Sequence, residues 1–293
     1  MYKHIDRNKR NTIIIIICFV LFVAAIGIGF AYLNDSWEIA VIFLVVAAIY
    51  AFVQYFAAAK LAVAMTGGKK ITKKDNPRLY NTVENLSIST GLPLPQIYII
   101  EDPAPNAFAT GRDPKHAVVA ATTGLLSVMD NKELTAVMAH EMSHVKNYDI
   151  RVNMIVFGLV CLIGFISDIG IRMVLYNGRR SSSNNKSPIG MIIALVALIL
   201  APIAATLTRL AVSRQREYLA DSSSALMTRY PEGMISALKK LGSHARPMKQ
   251  QNSATEALFI ANPLRKSFFS SIFATHPPIE KRIERLESGK KSF

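Results

Sequence analysis

Two long apolar runs dominate the first part of the chain. Thr12 to Tyr32 carries no charge and exceeds the roughly 20 residues a helix needs to cross a bilayer. The short linker Leu33-Asn34-Asp35-Ser36 leads into a second run, Trp37 to Ala59, and the two predict a transmembrane hairpin over 1–60. A cleaved leader is the competing reading of the first run. Its apolar core would be only about 7–15 residues, and here a second span follows at once.

From about 61 to 153 the apolar residues become periodic instead of continuous. Asn76-Pro77 reads as a helix start, with Leu79, Val83 and Leu86 on its inner face and Gly91 as its stop. Gln96 to Ile100 reads as a strand. Asn106 to Thr110 and Ala117 to Thr122 read as a hairpin about the turn Gly111-Arg112-Asp113-Pro114. Asp130 with Glu133 three residues on is a capping-box pattern, and Leu134, Val137, Met138 and Met142 then recur at helical spacing. Beyond lie two more apolar runs, Met154 to Tyr176, interrupted by Asp168, and Ile189 to Leu210, with Pro202 inside. They predict a second hairpin over 154–210 around the polar loop Asn177 to Ser187. The last part, 211–293, reads as the second part of the catalytic domain, soluble and mostly helical after Asp221. A polar stretch over 243–256 is expected to be a mobile loop, and Ile279 to Ser288 an exposed charged helix. There is no internal repeat.

Chemistry enters at His140-Glu141-Met142-Ser143-His144. The pattern is H-E-x-x-H and lies in mid-helix, where residues four apart share a face. Two imidazoles so placed grip one metal ion, and the intervening carboxylate reaches a water beside it. With six histidines in 293 residues, a chance match is improbable. A catalytic zinc keeps three protein ligands and an open position. The stretch Ser213 to Asp221 offers a third, since Glu217 and Asp221 also stand four apart. One carboxylate can ligate and the other can hold the second ring nitrogen of a ligating histidine. Two solvated acids pairing with Arg214 and Arg216 is the plainer alternative.

Composition narrows the classes. The chain is 51% hydrophobic, which suits a membrane-anchored enzyme. Its net charge of +14 does not point to nucleic acid, because the basic residues flank the spans: Lys3, Arg7, Lys9 and Arg10 before the first, Lys60, Lys69, Lys70, Lys73 and Lys74 after the second. Such flanks mark the cytoplasmic side and place both ends of the hairpin there. The two cysteines, Cys18 and Cys161, lie in apolar runs and read as packing residues. His4, His116 and His244 read as surface residues.

Taken together, these features resemble the HtpX-type membrane zinc metalloproteases, relatives of the CAAX prenyl endopeptidases. The likeness runs nearly end to end: the N-terminal apolar pair, Pro105 to Gly111, the H-E-x-x-H helix, Ser213 to Asp221, then Thr275-His276-Pro277-Pro278 and Arg282-Ile283. The resemblance implies one zinc ion per chain, held by His140, His144 and Glu217, with Glu141 as catalytic base and Asp221 behind a ligand. It also places His276 and Arg282 near the bound peptide and its oxyanion. The expected fold is a mixed α+β integral membrane protein, with about four transmembrane helices and a zincin-like catalytic domain in which a small sheet packs on the motif helix. Glu217 must meet the histidines on one side of the bilayer, so the second pair of apolar runs crosses twice or not at all. Two crossings is the reading favoured here.

The expected activity is hydrolysis of peptide bonds, with polypeptides, the lipid bilayer and no nucleic acid as partners. Asn106, Ala107, Phe108 and Ala109 are expected to offer an exposed strand edge to which an extended peptide adds. Edge pairing reads backbone more than side chains, which suits many unfolded substrates. The resemblance points the same way, to quality control of damaged membrane proteins in the plasma membrane, with the catalytic part and both termini cytoplasmic. Rival readings are a processing peptidase for one precursor, a structural zinc clip in a membrane scaffold, or a transporter. A structural clip would want four ligands, often thiolates, and none is at hand.

Overall fold

A computed structural model describes residues 2–33, 35–180, 214–250, 255, 258–261 and 277–289. Helix α1 covers Tyr2–Leu33 and α2 covers Trp37–Met65. Both are long enough to cross a membrane and contain 18-residue stretches of mean hydropathy 3.0 and 2.4. Their outer faces expose Ile13, Ile17, Leu21, Val41 and Phe52, an apolar surface that only lipid or another partner would cover. Each helix outruns its apolar run. The basic segment before Thr12 is helical because Asn8 and Thr12 are buried against the rest of the protein. Helix α2 continues past residue 60 because Ala62 and Val63 pack beside the sheet.

The sheet has four strands: β1 Gly68–Lys70, β2 Gln96–Ile100, β3 Ala107–Gly111 and β4 Ala117–Thr122. Their order is β1-β2-β4-β3, with β2 and β4 parallel and the other pairs antiparallel. The expected hairpin is β3 with β4, closing at Gly111 opposite Ala117. Alternate residues face opposite sides. Ala107, Ala109, Val119 and Ala121 turn toward one core, shared with the motif helix. Phe108, Val118 and Ala120 turn toward a second core beneath α2 and the helix after the motif. The sheet is therefore covered on both faces.

Helix α3, Pro77–Thr90, starts where Asn76 accepts the Leu79 N–H at 2.9 Å and stops at left-handed Gly91. A short α4, Thr123–Val128, precedes the motif helix α5, Asn131–Lys146. The capping box forms: Glu133 N–H donates to Asp130 at 2.8 Å, and Asp130 N–H to Glu133 at 2.7 Å. Two residues later the chain bends by 81° into α6, Asp149–Arg180, with Tyr148 in the left-handed region at φ 59°. Helices α7, Arg214–Thr228, α8, Pro231–Ser243, and α9, Ile279–Gly289, complete the described residues.

Four spans are not what these residues display. Two helices qualify, and a third only if α5 and α6 count as one bent span. The start of α6 is enclosed by protein, with Met154, Ile155, Phe157 and Leu159 buried. Its Asp168 pairs with Arg172 one turn on, at 2.8 Å. The run Ile189 to Leu210 lies outside the described residues, as do 251–254 and 256 of the expected mobile loop. The described part of that loop is anchored: Met248 is buried, and Lys249 N–H donates to Asp102 at 2.7 Å.

Candidate metal centre

Helix α5 presents His140 and His144 one turn apart, both buried, with Glu141 buried between them. Helix α7 lies close against it. Ala220 and Ala225 are fully enclosed, and the Ser224 hydroxyl donates to the carbonyl of Ala136 at 2.6 Å. That contact sets Glu217 and Asp221 against the histidines. The two acids are buried, so the solvated alternative for them does not hold.

The geometry makes a ligand set. The Nε2 atoms of His140 and His144 lie 3.2 Å apart, their rings at 85°. Glu217 places Oε1 3.5 Å from Nε2 of His144 and Oε2 3.8 Å from Nε2 of His140. One atom from each of the three residues falls within 4.8 Å of the others. Ligands about 2.0–2.1 Å from a tetrahedral zinc stand roughly 3.3 Å apart, so the spacing fits such an ion.

Both imidazoles are held from behind. Nδ1 of His140 lies 2.9 Å from Asp221, and Nδ1 of His144 lies 2.9 Å from Asp149. A carboxylate accepts the Nδ1–H, which leaves the Nε2 lone pair facing the centre. Arg282 grips Asp221 with two bonds of 2.8 and 2.6 Å and lies 3.7 Å from Glu217. Arg216 lies 3.8 Å from Asp149.

Charge makes the same point. Glu141, Asp149, Glu217 and Asp221 are buried alongside the guanidiniums of Arg216 and Arg282. Four carboxylates against two guanidiniums leave surplus negative charge, which a divalent cation or protons on His144 and Glu141 would balance, since buried charge demands such balance. Burial pushes the Glu141 carboxyl up to about 7. Burial also holds His140 below its ordinary value. For His144 burial works downward, but the Asp149 hydrogen bond and the Glu217 charge outweigh it and push the group up to about 9. Burial works upward on Asp221, yet Arg282 holds it below the usual carboxylate range.

A small cleft, with room for about one water molecule, opens at this centre. Beyond the three ligand residues and Glu141, it is walled by Ala109 of β3, Asn153 of α6 and the segment Leu258 to Ile260. Oδ1 of Asn153 is buried without a hydrogen-bond partner among the described residues.

The structure thus brings His140, Glu141, His144, Glu217 and Asp221 together. Arg282, expected beside the oxyanion, is 1% exposed and is engaged with Asp221 behind His140; it does not line the cleft. His276 lies outside the described residues. Ala107, Phe108 and Ala109 lie in β3, the outer strand of the sheet, and Asn106 just precedes it, but their edge is not exposed. Phe108 bridges Phe259, Ile260 N–H donates to the Ala107 carbonyl at 2.9 Å, and the Asn106 amide donates to Ala261 at 2.9 Å. The edge is covered because this strand buries apolar Phe108 against Phe259, their rings 5.2 Å apart. Sequence reasoning missed Asp149 and Asn153. Asp149 carried one available signal, an acid in the first helical turn after a break.

A model described as peptidase family M48 matches residues 73–290. A protease HtpX homolog from Tropheryma whipplei (strain Twist) is 54% identical over 294 residues, covering all of both chains. Another, from Streptococcus equi subsp. equi (strain 4047), is 46% identical over 295 residues, covering 98% of this chain and 99% of that one. Among solved structures, the crystal structure of S. mikatae Ste24p matches with a TM-score of 0.53 at 20% identity, covering 92% of this chain. The match spans 62% of that longer protein and establishes likeness of fold.

Proposed function

Because this chain belongs to peptidase family M48, a family of proteases, we propose that it is a membrane zinc endopeptidase that hydrolyses misfolded or damaged membrane proteins. The observation that carries the proposal is the convergence of His140, His144 and Glu217 with Glu141 beside them. One zinc ion per chain would be held by those three residues. When bound, zinc supplies Lewis acidity that acidifies water and polarises a carbonyl. Glu141 removes a proton from the attacking water and returns it to the departing amine, so the peptide bond breaks into an acid and an amine. Asp221 and Asp149 hold the imidazoles in register, and Arg282 holds Asp221.

In this reading an extended peptide pairs with β3 at Asn106 to Ala109 once Phe259 and Ile260 give way. His276 is retained as the donor to the oxyanion on the strength of the family resemblance. Four helices then cross the bilayer, with 154–176 and 189–210 as the second pair, and the catalytic part is cytoplasmic at the plasma membrane. Backbone pairing favours broad substrates over a single precursor.

The test is Glu141→Gln in full-length protein in detergent, with casein as an unfolded substrate. The expected result is zinc retained at one ion per chain and hydrolysis reduced by at least about 10²-fold. Cleavage at the unmodified rate would overturn the assignment of the base. One defined cut, with no degradation of unfolded membrane proteins, would favour the processing peptidase instead.

A further inference from the structure

We propose that Asn8, on the first membrane helix, is a positioning residue for the metal centre, acting through Asp149 on His144. This rests on His144 being a metal ligand. Asn8 lies in the polar stretch Asp6-Arg7-Asn8-Lys9-Arg10, where a neutral amide would by default be solvated. Instead it is 3% exposed. Its Nδ2 donates twice, to Oδ1 of Asp149 at 2.6 Å and to the carbonyl of Asn147 at 2.9 Å. The other oxygen of Asp149 accepts from Nδ1 of His144 at 2.9 Å. A continuous chain of hydrogen bonds therefore runs from α1 to the ligand.

The two acceptors straddle the bend. Asn147 is the C-cap of α5 and Asp149 begins α6, so one amide group joins the end of the motif helix to the start of the next. Lys9, the next residue, stands 4.7 Å over the ring of Tyr148, the left-handed residue between them. Thr12, one turn further along α1, is also buried and donates back to the Asn8 carbonyl at 3.0 Å.

A carboxamide suits this place chemically. It orients the carboxylate without neutralising it, so Asp149 keeps the charge that polarises the Nδ1–H of His144. A lysine there would compete for that charge. An apolar residue would leave one carboxylate oxygen and a helix-end carbonyl with one donor fewer. The family match begins at residue 73, so this contribution comes from outside the matched region. The membrane hairpin then does more than anchor the enzyme.

The experiment measures zinc affinity of the full-length protein in detergent by competition with a chelator. Variants are Asn8→Ala, Asn8→Ser, Thr12→Val, Asp149→Ala, Asn8→Ala with Asp149→Ala, and His144→Ala. Partners that orient a metal-bound histidine typically contribute 10–100-fold in affinity. Asn8→Ala is expected to weaken zinc binding by roughly 10-fold, Asn8→Ser by less, and Thr12→Val not at all. In the Asp149→Ala background, Asn8→Ala is expected to add nothing, because its route to the ligand is already cut. An equal loss in that background, or no loss in Asn8→Ala alone, overturns the proposal. Should His144→Ala keep wild-type zinc affinity, the ligand assignment itself fails, and the two failures are thereby distinguished.

Discussion

Oδ2 of Asp149 lies 2.9 Å from Nδ1 of His144, although an 81° bend in the chain separates the helices that carry them. The bend is what allows the contact. On an unbroken helix, residues five apart point in different directions. Asp149 also gains from its place in the first turn of α6, where negative charge is favoured. Asp149→Ala should therefore weaken zinc binding 10–100-fold while the far-ultraviolet circular dichroism is unchanged. Asp149→Asn, which keeps an acceptor for the Nδ1–H, should lose less. Equal zinc affinity in all three proteins would remove Asp149 from the site.

The motif helix was legible because several local signals agree: a capping box at Asp130 and Glu133, apolar residues at helical spacing, and two histidines four apart. The spans were legible from hydropathy, though not their ends, since burial of Asn8 and Ala62 depends on what they pack against. Strand β1 was missed because Gly68-Lys69-Lys70 looks like a basic flank and pairs only through its backbone. Asp149 and Asn8 were missed for a related reason. Their partners lie beyond a helix break or more than a hundred residues away, where no periodicity points. The expected open edge at Ala107 failed because the segment that covers it, Phe259 and Ile260, is distant in sequence.

Arg282 offers a clean separation of roles. Its guanidinium is buried and bonded twice to Asp221, 3.7 Å from Glu217. Removing one partner of a buried ion pair leaves uncompensated charge and typically costs about 3–5 kcal/mol. Arg282→Ala should lower both thermal stability and zinc content, and Arg282→Lys should recover only part, since a lysine cannot form the paired bonds. A group acting only on the oxyanion would instead lower kcat at full zinc occupancy. That second pattern would contradict the role assigned here.

Asn153 lines the cleft with a carbonyl oxygen that has no partner among the described residues, and a substrate N–H is a donor that could reach it. Asn153→Ala should raise KM for an unfolded substrate by roughly 3–10-fold, about the worth of one neutral hydrogen bond, with zinc content unchanged. Unaltered KM would mean the amide makes no bond to the peptide.

The acidic limb of the activity profile has a fixed sign. Glu141 works as a base only when ionised, and burial pushes its carboxyl up from 4.5 to about 7. A dication held beside it favours the ionised form and draws the value back down. Activity should therefore fall as pH falls, with the midpoint of kcat/KM between those two values. Rates measured across that range on a soluble peptide in detergent give the midpoint directly. A midpoint above the upper value would assign the limb to some other group.

Phe259 decides how a peptide reaches β3. Its ring packs edge-on against Phe108 at 5.2 Å and 82°, and Ile260 N–H occupies the Ala107 carbonyl. If substrate takes that carbonyl, the segment must first leave, and the cost of leaving appears in KM. An aromatic pair of this kind contributes about 0.5–1.5 kcal/mol beyond its burial, so Phe259→Ala should lower KM roughly two- to tenfold. The effect should depend on Phe108, because the two rings act as one contact: in a Phe108→Ala background the second substitution should change KM far less. A rise in KM for Phe259→Ala would carry the opposite meaning. The ring would then be part of the wall that grips the peptide, and substrate would pair with the segment as it stands, leaving the Ala107 carbonyl to Ile260.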